Sequence, residues 1–223
     1  VDLGARVRLS DSRPIHELNL ESLDPRVAVR GGDNVYEHAD FLVPSPGIPP
    51  RHEGLRDALA AGLTLVSEIE LAAMVAEAPI VAITGTDGKS TTTEMIGAVA
   101  RACGRPTVVA GNIGVPLSER VRDVGADGVI VAEVSAFQLW SCGQFSPRVA
   151  IVTNVAEDHA EYFEGDVTAY ISAKARVLSD MEPNATAILR KDDAVVSRFQ
   201  PPIGVQTVWF GPSALDEGWG LTD

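Results

Sequence analysis

The chain has 223 residues, 45% of them hydrophobic, with 31 acidic against 18 basic side chains and a net charge of -13. That length and apolar share suit one large or two modest globular domains and exclude a disordered chain. The negative excess excludes nucleic acid as a general partner, because its phosphates would be repelled. Cys103 and Cys142 form no CxxC and no Cys/His cluster, so neither a disulfide framework nor a zinc site is expected. With no membrane-length apolar run and no charged-then-apolar leader, the expectation is a cytoplasmic enzyme without a membrane partner.

Taken in order, Val1-Asp2-Leu3-Gly4 reads as a frayed helix end with a glycine cap, followed by a strand at 5–9. Asp11, Ser12 and Arg13 stand at the end of that strand, where ligands gather in open α/β sheets. Further short strands are expected at 26–29 and 40–43, the second emptying into the turn-rich Pro44-Ser45-Pro46-Gly47-Ile48-Pro49-Pro50. A helix at 55–61 closed by Gly62, a strand at 63–66 and a helix at 68–77 ended by Pro79 complete a small α/β domain over 1–78.

From Ile80 the alternation continues on a larger scale. Strands are expected at 80–84, 107–110, 128–133, 148–153, 185–189 and 205–210, and helices near 89–102, 116–122, 137–143, 166–180 and 193–199. This pattern predicts a mostly parallel sheet covered on both faces, occupying 79–223. No element is expected after Gly211.

The first strand of that sheet leads into Gly85-Thr86-Asp87-Gly88-Lys89-Ser90-Thr91 and then a helix. Strand, glycine turn, lysine, hydroxyl and helix is the layout of a phosphate-binding loop. Glycines let N–H groups converge on an anion, the helix N-terminus adds partial positive charge, and Lys89 adds a full one. Ser90 is placed to hold a Mg²⁺ shared with the phosphates. Only two residues separate Gly85 from Gly88, where the usual loop has four before its Gly-Lys pair. Such a loop supplies its own positive field, so an anionic small molecule is compatible with the negative chain.

Four more positions fall on the same strand-end rim. Glu133 ends an apolar strand, either as a second Mg²⁺ ligand or as a solvated strand-end acid. His159, after another apolar strand and beside Glu157 and Asp158, reads as a metal or phosphate contact, although a lone histidine there is more often structural. Lys174 lies inside a helix, where a surface charge is the common reading, and Asn112 sits between glycines, as an ordinary turn asparagine would.

The runs AITGTDGKST, GNIG, EVSAFQL, TNVAEDH and SAKARVL, in this order, together with Pro44-Ser-Pro-Gly-Ile48, resemble the Mur ligase family over nearly the whole chain. Glu133-Val-Ser-Ala-Phe-Gln-Leu139 is the most telling, being similar to the run of the D-glutamate-adding member. The resemblance implies a Rossmann-like N-terminal domain for the uridine nucleotide substrate and a P-loop-type ATPase domain after it. It implies that Lys89 and the amides of Gly85 to Thr91 hold the ATP phosphates. Ser90 and Glu133 would bind one Mg²⁺ and His159 a second, and Lys174 would match a lysine that the family carries as a carbamate facing metal. Asn112, Ser135 and His159 would touch the sugar nucleotide, Asp11, Ser12 and Arg13 its uracil, and Ser45 and Gly47 a neighbouring part.

The implied reaction joins D-glutamate to UDP-N-acetylmuramoyl-L-alanine through an acyl phosphate, in a monomeric enzyme of peptidoglycan precursor synthesis. Ala136 departs from a serine of the pattern, and Arg190 stands at the asparagine of an Asn-x-Asp-Asp run. The pattern's first strand, adenine contacts and amino-acid-bringing domain have no counterpart, so the expectation is a fragment with little ligation activity of its own. Another ligase of the superfamily, such as a folylpolyglutamate synthase, or a nucleotide-binding module without catalysis, are the competing readings.

Overall fold

The computed structural model describes residues 4–32, 38–156, 160–212 and 218–220, with backbone alone at 160–161 and 218–220. The expected helix end at Val1–Gly4 falls mostly outside these residues. Contacts divide the chain into two compact units, Val1–Leu42 with Arg51–Thr64, and Val43–Pro50 with Leu65–Asp223. The Pro44–Pro50 loop and the segment 65–78 therefore pack with the second unit, whereas the sequence expectation grouped them with the first.

In the first unit, β1 (Arg8–Asp11) and β2 (Ala28–Gly31) form a parallel pair, with Asp11 opposite Gly31. β3 (Phe41–Leu42) pairs with β4 (Thr64–Leu65), and α1 (Glu53–Ala60) lies between them in sequence, burying Leu55 and Ala58.

The second unit is built on β5 (Ile80–Thr84), β6 (Thr107–Gly111), β7 (Val129–Glu133), β8 (Val149–Val152), β9 (Thr186–Arg190), β10 (Gln206–Gly211) and β11 (Gly218–Gly220). They form one seven-stranded sheet in the order β11-β10-β9-β8-β5-β7-β6, with parallel pairing throughout. The central strands β5, β7 and β8 are short apolar runs rich in Val and Ile and buried on both faces, as the middle of a parallel sheet requires. Alternate residues of β5 divide between two apolar clusters. Ile83, with Val131 and Ile151, packs with Ile96 of α3 (Lys89–Ala102). Ile80 and Ala82 join the larger core, which takes in Ile69 of α2 (Glu68–Ala73), Leu117 of α4 (Leu117–Arg120), Leu139 of α5 (Ala136–Leu139) and Tyr170 of α6 (Val167–Ala175).

Three expectations are corrected. The tail after Gly211 contains a strand, β11, which exists because its backbone pairs with β10 from Trp209 to Gly211. The helix expected at 193–199 is only a 3-10 turn, Val196–Arg198, held by Asp193 Oδ1, which accepts the N–H groups of Val195 (2.9 Å) and Val196 (2.8 Å). The helix expected at 137–143 ends at Leu139, beyond which the chain turns so that Gly143 and Gln144 donate to Glu70.

Candidate functional site

β5 ends where Gly85 turns the chain at φ +151°; a Cβ here would lie 1.9 Å from Thr153 Oγ1, so no other residue fits. Gly88 caps α3 in the left-handed region at φ +78°, and a Cβ added to it would meet nothing within 4 Å. The loop between them is held by the segment after β8. Thr86 N–H donates to Asn154 O (3.0 Å) and Asp87 N–H to Asn154 Oδ1 (2.9 Å). Asn154 Nδ2 returns a bond to Asp87 O at 2.9 Å, and the Thr153 hydroxyl donates to the same carbonyl at 2.7 Å.

Of the amides from Gly85 to Thr91 that the resemblance assigns to the ATP phosphates, two are bonded within the chain. The N–H groups of Thr86 and Asp87 are engaged by Asn154. The first helical bond beyond them runs from Thr92 N–H to Gly88 O, so the amides just before Thr92, at the start of α3, stand outside the helical ladder, as at any helix N-terminus. Lys89, half-buried, donates from Nζ to Thr86 O at 2.7 Å, while Ser90 and Thr91 are exposed at the helix start.

Glu133 ends β7 opposite Ile83 of β5 and Gly111 of β6, which puts it on the rim from which the loop springs. It is 1% exposed. Asn112 Nδ2 donates to Oε1 at 2.8 Å and Asn112 N–H to the Glu133 carbonyl at 2.8 Å, whereas Oε2 has no hydrogen-bond partner among the described residues. Thr84 Oγ1, at the end of the adjoining strand, is a second buried oxygen in that condition.

Lys174 is buried on α6, contrary to the surface reading of a helical lysine. Its Nζ donates to Gly85 O at 2.5 Å and stands 4.6 Å from the centre of the Tyr170 ring. The Tyr170 hydroxyl is 3.1 Å from Thr86 Oγ1, which accepts Ala156 N–H at 3.0 Å. Gly85 to Thr91, Asn112, Glu133 and Lys174 are thus brought to one strand-end rim.

The other expected positions stand as follows. The Ser135 hydroxyl caps α5, donating to Gln138 Oε1 (3.0 Å) and accepting Gln138 N–H (3.3 Å). His159 lies outside the described residues, with Glu157 and Asp158. Ser45 and Gly47 belong to a turn closed by Ile48 N–H to Ser45 O at 2.9 Å. In the first unit, Arg13 bonds Asp11 through its backbone N–H (2.9 Å), Nε (3.0 Å) and Nη2 (2.9 Å), and these bonds hold the Asp11 carboxyl down at about 2; Ser12 between them is exposed. The residues that sequence reasoning missed are Thr153, Asn154, Tyr170 and Asp193. Asp193 Oδ2 accepts Val155 N–H at 3.0 Å, bracing the segment that holds the loop. No local pattern marks a side chain that reads backbone some 67 residues away.

Loop, rim carboxylate and helix N-terminus on a parallel sheet define an α/β domain with the layout of the phosphate-loop kind. A family model described as the Mur ligase middle domain matches residues 83–218, and the chain belongs to the Mur ligase family. It is 39% identical over 228 residues to the UDP-N-acetylmuramoylalanine--D-glutamate ligase of Desulfitobacterium hafniense, covering 98% of this chain and 49% of the relative. With the same-named protein of Syntrophotalea carbinolica it shares 40% over 227 residues, covering 99% and 50%. The chain therefore spans about half the length of the curated relatives it matches. Among solved structures, the fold is similar to UDP-N-acetylmuramate:L-alanyl-gamma-D-glutamyl-meso-diaminopimelate ligase from Neisseria meningitides, with a TM-score of 0.58, 18% identity, and 94% of this chain and 71% of that one covered. A murein peptide ligase from Psychrobacter arcticus gives a TM-score of 0.52 at 16% identity, covering 94% and 49%. Among the described residues, no helix is long and apolar enough to cross a membrane.

Proposed function

We propose that this chain is part of an ATP-dependent ligase that joins D-glutamate to UDP-N-acetylmuramoyl-L-alanine in peptidoglycan precursor synthesis, acting as a cytoplasmic monomer. The observation that carries the reading is the meeting of Lys89, Glu133 and Lys174 on one rim, in a chain alike over nearly its full length to relatives named for that reaction. Residues 1–78 would serve the uridine nucleotide and 79–223 the ATP, with Asp11, Ser12, Arg13, Ser45, Gly47, Asn112, Ser135 and His159 on the sugar-nucleotide side.

The donor set suits Mg²⁺, which takes oxygen ligands and keeps one or two protein carboxylates beside phosphate and water. Among the described residues, Glu133 Oε2 is a buried oxygen without a hydrogen-bond partner and no cluster of three acidic, His or Cys side chains exists to cage a metal fully, while Ser90 offers a hydroxyl at the helix start. Glu133 and Ser90 would hold one ion, His159 and a carbamylated Lys174 the second; bound there, Mg²⁺ supplies charge neutralisation between anions. Lys174 as an amine has only donors. Carbamylation joins its nitrogen to the carbon of CO₂, releases a proton and yields an anionic oxygen ligand.

The substrate carboxylate is a resonance-stabilised anion and a poor electrophile. Lys89, with the amides at the start of α3, neutralises charge on the γ-phosphoryl group as a carboxylate oxygen bonds to its phosphorus and the bond to ADP breaks. The amine of D-glutamate then attacks the acyl carbon, loses a proton, and phosphate departs. Lys89→Ala in the full-length enzyme should abolish acyl-phosphate formation, trapped by hydroxylamine; near-normal turnover would refute the assignment.

A further inference from the structure

Tyr162 is claimed by none of the chemistry above, yet its oxygen links two parts of the second unit. It accepts Trp140 Nε1–H at 2.9 Å and donates to Ile48 O at 2.8 Å, across 114 positions of sequence. Ile48 closes the turn that carries Ser45 and Gly47. The Tyr162 ring sits 4.2 Å from that of Phe137 and 5.1 Å from that of Phe163. Phe137 lies on α5, whose cap Ser135 follows Glu133 by two residues. Phe163 in turn packs 5.8 Å from Tyr170, the neighbour of Lys174.

From this geometry we infer that Tyr162 is a positioning residue: its hydroxyl fixes the Ser45–Ile48 turn on the phosphate-loop unit and so sets affinity for the sugar nucleotide separately from affinity for ATP. The inference rests on the functional reading above for its ligand, though not for its geometry. A hydroxyl that must donate to one carbonyl while accepting from an indole needs its proton. Burial pushes the Tyr162 phenol up, which keeps that proton in place. The ring contacts fix where the oxygen stands, so its removal frees the turn and leaves the aromatic packing intact.

Tyr162→Phe in the full-length protein separates the oxygen from the ring. Amide exchange at Ile48 should speed up by about tenfold relative to wild type, with α3 amides unchanged. KM for UDP-N-acetylmuramoyl-L-alanine should rise by about tenfold, while KM for ATP stays and kcat moves by less than about twofold. Unchanged exchange at Ile48 overturns the positioning role whatever the enzyme's activity. Faster exchange with both KM values unchanged, or raised together, overturns its selectivity for the sugar nucleotide. A wild type that ignores this nucleotide, with faster exchange at Ile48 in the variant, upholds the positioning and rejects the assigned function.

Discussion

Glu133 holds one carboxylate oxygen against Asn112 and leaves the other without a hydrogen-bond partner among the described residues, at 1% exposure. A buried acid so placed costs stability until something positive meets it, which is the trade a binding site makes. Glu133→Gln keeps the oxygen facing Asn112 and removes the carboxylate charge. Unfolding free energy of the ligand-free protein should rise by ~1 kcal/mol, while affinity for nucleotide in the presence of Mg²⁺ falls by about tenfold or more. Denaturant melts and titration calorimetry, the latter with and without the metal, read the two effects. A variant that loses stability and keeps its affinity would make Glu133 a purely structural acid.

At the level of elements, legibility followed the source of each element's stability. β5 to β10 were readable within a residue or two, because apolar β-branched runs between turn residues have few other uses. β11 was not, since Gly218-Trp219-Gly220 owes its extension to the edge of β10 and to no pattern of its own. Two helix lengths failed where a side chain takes backbone groups: Asp193 those of Val195 and Val196 just ahead of it, Glu70 those of Gly143 and Gln144 from afar. The glycines, lysine and hydroxyl of the loop were plain in the sequence; its fastening by Asn154 was not, because strand order alone brings β8 beside β5.

Glu70 shows what such a distant bond is worth. It occupies the third position of α2 in a capping box with Ser67, and its carboxylate also accepts the N–H groups of Gly143 and Gln144, each at 2.8 Å, while 3% exposed. In Glu70→Gln the amide NH₂ must face an N–H donor somewhere in this set. Destabilisation by ~2 kcal/mol is expected, with nucleotide affinity unchanged, since no phosphate-loop atom bonds to Glu70. Urea titration beside nucleotide titration separates the two, and a loss of affinity would show that the turn after α5 reaches the loop.

The molecule as a whole distributes its apolar burial unevenly. Among the described residues of the first unit, Leu55 and Ala58 are the buried hydrophobic side chains, whereas the second unit buries the faces of a seven-stranded sheet. Since burial of apolar area is the main favourable contribution to folding, the units should not share one cooperative transition. Calorimetric melting should resolve a weaker first transition, from the unit carrying Asp11 and Arg13, and a larger second one. Mg²⁺–ATP at about a hundred times its Kd stabilises what it binds by ~2.7 kcal/mol, and the shift should appear in the second transition alone, because Gly88, Lys89 and Glu133 all lie in that unit. Lys89→Ala should erase the shift and leave both ligand-free transitions where they were, the lysine's visible bond being to the carbonyl of its own loop. A single transition raised as a block would mean that the units depend on each other for folding, and nucleotide binding at the rim would then be felt throughout the chain.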